Sequence, residues 1–175
     1  MLQIKRVHMF GAVFTSIMGT LLHFVYEWSG ESRWSSLISS VNESTWEHLK
    51  LLVVPYLIFA VYEYFVYGKN VQNFAAAKIY ALFVGLGSII VLFYVYSGII
   101  GHHIPILSIL VFYIAVSASY IYAYRWISSV RFTGHDFAVS SKLLLVFLLL
   151  CVLVFTDMPP KLGLFMDPVT GQYGR

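Results

Sequence analysis

Five apolar stretches decide what this chain can fold into. They run from Val7 to Trp28, Thr45 to Tyr67, Ala75 to Gly98, Ile104 to Trp126 and Phe137 to Phe155. Each reaches or approaches the roughly 20 residues that an α-helix needs to cross a bilayer. In hydrocarbon a backbone must satisfy its own N–H and C=O groups, so such stretches become helices. Only 11% of the 175 residues are charged, whereas a soluble domain carries about a quarter. The expected fold is all-α: a polytopic bundle of five transmembrane helices, multi-pass in the cell membrane. It forms one domain over residues 1–175, with residues 156–175 as an extracytoplasmic tail. The fifth span is marginal unless Lys142 snorkels along its stem.

Several broad classes fall away. A net charge of +3 without a basic run gives no footprint for nucleic acid. Cys151 is the single cysteine, so no internal disulfide can form. The opening "MLQIKRVHMF" resembles a signal peptide, but its apolar run is long and lacks an A-x-A site, which predicts a retained first helix. G-x-S-x-G, P-loop, H-E-x-x-H and Rossmann patterns are absent from the sequence, and no spacing marks Ser29, Ser36, Ser39 or Ser40 as a nucleophile.

Small residues four apart (Ala12, Ser16 and Thr20; Ala81 and Gly85) predict close helix approach in lipid. Pro55 removes a backbone donor and is expected to bend the second helix. Trp28, Trp34 and Trp46 read as one interfacial belt; Tyr62, Tyr64, Tyr67, Tyr122, Tyr124 and Trp126 read as the other. One side of this five-span arrangement collects seven Lys and Arg and the other four. The positive-inside rule then places the N-terminus in the cytoplasm and the C-terminus outside.

The ionisable residues sort the same way. Glu27, Glu31, Glu43, Glu47, Asp157 and Asp167 fall on the outer side, with His23, His48, His102 and His103. His23 and Glu27 share a face of the first helix, with His23 about 7 Å below Trp28 at ~1.5 Å rise per residue. Ionisable groups at such depth are rare and usually functional, although a histidine bonded to a neighbouring helix is the plain alternative. In "VNESTWEHLKLLVVP", Ser40-x-x-Glu43 reads as a capping box and Asn42 as a good N-cap. Glu47 and His48 are expected to serve the site, although Glu47 could instead pair with Lys50. Asn42-Glu43-Ser44 also matches a glycosylation acceptor, a pattern common by chance. His102 and His103 occupy a short loop, where a pair is more often solvated than ligating. Asp157 ends the fifth helix against the helix dipole, which hints at a local partner. The tail "KLGLFMDPVTGQYGR" is a lid over the outer mouth, an interfacial segment or a frayed end.

The blocks "LLHFVYEWSG", "VNESTWEHLKLLVVP" and "DMPPKLGLFMDPVTGQYG" resemble the signature blocks of a small bacterial integral-membrane family classified only as a domain of unknown function. The resemblance implies a multi-span membrane protein and no particular activity. A looser similarity is to intramembrane zinc hydrolases of the alkaline-ceramidase kind. This chain is shorter, has fewer spans and lacks a late H-x-x-x-H pair, so that likeness concerns a site alone.

Three functions fit these residues. In a metal-dependent hydrolase of a lipid or lipid-linked substrate, a divalent metal such as Zn would be held by His23, Glu47 and His48, joined by His102 or His103. Glu27 or Glu43 would move the proton. In a cation or proton carrier, the acidic mouth would draw cations inward past His23. In an accessory subunit, the same groups would bind a membrane-protein partner.

Overall fold

The structure is a computed structural model that describes residues 2–129 and 131–175. It is predominantly helical. The helices are α1 (Leu2–Trp28), the short α2 (Arg33–Ser36), α3 (Thr45–Val66), α4 (Phe74–Ile100), α5 (Pro105–Ile127) and α6 (His135–Asp157), with 3₁₀ turns at Gly68–Asn70 and Gly163–Phe165. All but α2 are long and apolar enough to cross a membrane. α1 starts five residues before its apolar stretch, so Lys5 and Arg6 are helical. α4 stops at Gly101, which takes the left-handed conformation a helix end often needs.

Helices α1, α3, α4 and α5 pack in a ring of neighbours, and α6 lies against α4 from outside. α3 is the best covered, with half of its most apolar window buried against 17% for α6. Lipid is as apolar as leucine, so contact between such helices must come from close packing and polar bonds.

Close packing is found, one residue away from where the sequence places it on α1. The buried stripe there is Gly11, Thr15 and Gly19, while Thr20 is exposed. A Cβ on Gly19 would lie 2.5 Å from the Leu51 carbonyl oxygen. Leu51 is the residue whose carbonyl would ordinarily accept from position 55, and Pro55 has no N–H to give. The proline thus leaves a carbonyl without its helical donor where a glycine lets the neighbouring backbone come near. On α4, Gly85 plays the same part against Ala115 and Leu52.

The two ends of the bundle differ. One, called here the acidic end, gathers the C-termini of α1 and α6, the N-terminus of α3 and the tail. The opposite, basic end gathers the N-terminus of α1 and the C-termini of α3 and α5. Each holds a buried ion pair: Glu47 with Lys50, and Glu63 with Lys78. Lys78 is one of the seven cations that the span pattern counts on one side, yet it is buried and lies over the rings of Tyr56 and Tyr120. Two belt assignments also change. Trp46 packs between Phe155 and Phe165, and Tyr67 donates to Glu63, so both are core residues. Trp28, Trp34, Tyr62, Tyr64 and Tyr122 remain exposed.

The tail is folded. Asp167 closes a turn by accepting from Val169 N–H, and Met166 bridges to Tyr173. Phe165 seats this turn on Trp46.

Candidate functional site at the acidic end

The site begins with where α3 starts. Ser44 is the N-cap, accepting from the Glu47 N–H through its hydroxyl. Asn42 Oδ1 accepts from Ser44 N–H and shapes the turn before it. The helix therefore begins four residues later than a Ser40–Glu43 capping box requires, and Ser40 instead donates to Asn42 O. Glu43 is left outside the helix with its carboxylate free to turn toward α1.

Two imidazoles meet that carboxylate. His23 Nε2 is 3.3 Å from Glu43 Oε1, and His48 Nε2 is 3.5 Å from Glu43 Oε2. The two rings lie 5.5 Å apart. His48 Nδ1 stands 2.9 Å from the Ser44 carbonyl oxygen. A carbonyl can only accept, so Nδ1 carries the proton. His48 Nε2 and Glu43 Oε2 are then two acceptors facing each other unless a proton or another cation lies between them. The His23 imidazole beside Glu43, helped by His48 and His103, holds its carboxyl below the usual range, against the opposing effect of burial.

The cluster sits in a cleft of about 250 Å³ between α1 and α5. Its walls are mostly apolar, including Leu51, Phe112 and Pro105. Phe24, Ile109 and Tyr113 at its edge are exposed, on a surface the span pattern assigns to lipid.

His103 lines the same cleft and adds a pair that the sequence pattern does not reveal. Its Nε2 is 2.9 Å from Ser108 Oγ, which also lies 2.7 Å from Tyr96 OH. Ser108 is in the first turn of α5, and no motif surrounds it. The i, i+5 spacing from a loop histidine is the only trace; the contact forms where α5 starts at Pro105, and the turn at Gly101 brings Tyr96 of α4 alongside. Thr20 Oγ1 and Tyr113 OH, 3.1 Å apart, are the other polar pair of the cleft.

The remaining candidates are held elsewhere. Glu47 turns from His48 to Lys50 and the Val41 N–H. The i, i+3 spacing to lysine wins because both side chains are buried and each would otherwise be an unpaired charge. Lys50 in turn donates to Ser36 O and Thr156 Oγ1, tying α3 to α2 and α6. Glu27 and His102 are exposed. Asn42 binds the tail through Nδ2 to Gly174 O. Asp157 pairs with Arg33 and Arg175, the partners its place at a helix C-terminus called for. Among the described residues no three His, Cys, Asp or Glu side chains are gathered, as placed, to hold a metal ion.

The model of a family described as "Family of unknown function (DUF6512)" matches residues 1–175. The chain belongs to that family. No curated protein and no solved structure matches it. The family carries no activity to transfer, so function rests on the residues of the cleft.

Proposed function

We propose that this protein is a membrane hydrolase whose lipid or lipid-linked substrate enters the α1/α5 cleft sideways from the bilayer. The observation that carries this is the Glu43–His48 contact: two acceptors that face each other unless a proton or another cation lies between them, at the polar end of a groove with apolar walls. Such a pair can take a proton from an attacking group and return it to a leaving group. The attacking group is a water molecule or Ser108 Oγ, whose proton His103 Nε2 is at hydrogen-bond distance to accept. For a divalent metal such as Zn to supply an activated water in the same place, His23, Glu43 and His48 would have to close around it, since as placed they do not form a metal site.

The test is turnover by the purified protein on a membrane lipid extract, with products read by mass spectrometry, with and without a chelator. The expected result is a product that the Glu43→Gln variant forms at least roughly 100-fold more slowly. Loss of product on chelation would assign the work to a metal. Folded wild-type protein that turns over no lipid ends the proposal.

The orientation belongs to the same reading. Removing the buried Lys50 and Lys78 from the count leaves six cations at the basic end and three at the acidic end. The basic end then faces the cytoplasm and the cleft opens in the outer leaflet.

A second reading is a proton or cation carrier. One observation favours it: Thr15 with Tyr120 and Thr20 with Tyr113 place hydroxyl pairs along the α1/α5 seam between the two charged ends. Proton flux into liposomes that Thr15→Val abolishes would decide for it.

A further inference from the structure

The α1/α5 seam opens a second time at the basic end. There a cleft of about 350 Å³ is walled by Met9, Ala12 and Ile121, with Tyr120 and Tyr124 beside them. Lys5 and Arg125 stand at its mouth, on the first turns of α1 and the last turn of α5. Both are exposed, and neither has an acidic partner among the described residues. The wall also includes His8, which is 4% exposed. Its Nδ1 is 3.0 Å from Ile4 O and 3.5 Å from Glu63 Oε1, both acceptors, so Nδ1 carries a proton. Nε2, on the other edge of the ring, is a buried acceptor with no partner.

We infer that this second cleft binds one anionic phospholipid, its phosphate between Lys5 and Arg125 and an acyl chain along Met9, Ala12 and Ile121. The charge argument fixes the class of occupant. Two cations without an acidic partner, at the level of a membrane surface, attract an anionic head, and a zwitterionic head offers them no net attraction. An apolar groove continuing from them into the span suits an acyl chain and not a soluble anion. This inference is independent of the acidic-end cluster, since no residue is shared.

The experiment uses the full chain in nanodiscs that contain phosphatidylglycerol and phosphatidylcholine with the same acyl chains. The lipid retained on transfer to mild detergent is read by native mass spectrometry. The expected result is one phosphatidylglycerol retained per chain in preference to phosphatidylcholine. Lys5→Gln or Arg125→Gln should each reduce that preference roughly fivefold, about 1 kcal/mol per cation near an anionic surface. Lys69→Gln, at the same end but not lining the cleft, should leave it unchanged. All three side chains are exposed, so these variants are expected to fold. Equal retention of both lipids, an equal loss with Lys69→Gln, or displacement by free glycerol phosphate would overturn the inference.

Discussion

His23 Nε2 stands 3.3 Å from Glu43 Oε1, joining the end of α1 to the loop that precedes α3. The pair closes the acidic end of the α1/α3 contact, and it makes Glu43 the residue on which the cluster's acid–base behaviour depends.

Its pH dependence has a definite sign. Glu43 has a folded pKa below its unfolded value of about 4.3, so ionising it favours the folded chain. The stabilisation is present above that unfolded value and is lost as pH falls through the lower folded one. Thermal unfolding between pH 3 and pH 6 should show the wild type losing stability toward acid more steeply than Glu43→Gln. Parallel curves for the two proteins would contradict the contact.

The buried pair at the basic end predicts a non-additive double substitution. Glu63→Gln alone leaves Lys78 charged or forces it neutral in the core, at a cost of about 3–5 kcal/mol. Glu63→Leu with Lys78→Met removes both charges and should recover most of that loss. Chemical unfolding in mixed micelles reads the difference.

Gly19 should tolerate no side chain. Gly19→Ala places a methyl group 2.5 Å from Leu51 O and is expected to cost about 1–3 kcal/mol. Gly87→Ala is the control, because nothing lies within 4 Å of the added carbon. Melting temperatures of the two variants should move apart, with Gly87→Ala at or above the wild type.

The tail can be read through one tryptophan. Phe165→Ala removes a ring packed on Trp46 and should destabilise the acidic end by about 3 kcal/mol. Trp46 emission, followed with Trp28, Trp34 and Trp126 replaced by Phe, should shift to the red as water reaches the indole. An unchanged spectrum would show that the turn leaves Trp46 covered by other residues.

The sequence by itself determined the five helices and the gathering of acids and histidines at one end. Those follow from one-dimensional facts: an apolar run has a length, and alternate crossings sort charges by side. Which charges meet was a different matter. Glu43 and Glu47 are equivalent on a helical wheel, yet one faces two histidines and the other a lysine, because Ser44 starts the helix between them. Ser108 and His8 carried no motif at all; Ser108 meets His103 and Tyr96 across the α4–α5 turn, and His8 meets Glu63 of α3, far away in the chain. The rotation of each helix decided those contacts. In lipid that rotation is set by where backbones can approach, at Gly19 and Gly85, and by which buried polar groups find partners, and neither is written into the spacing of any single span.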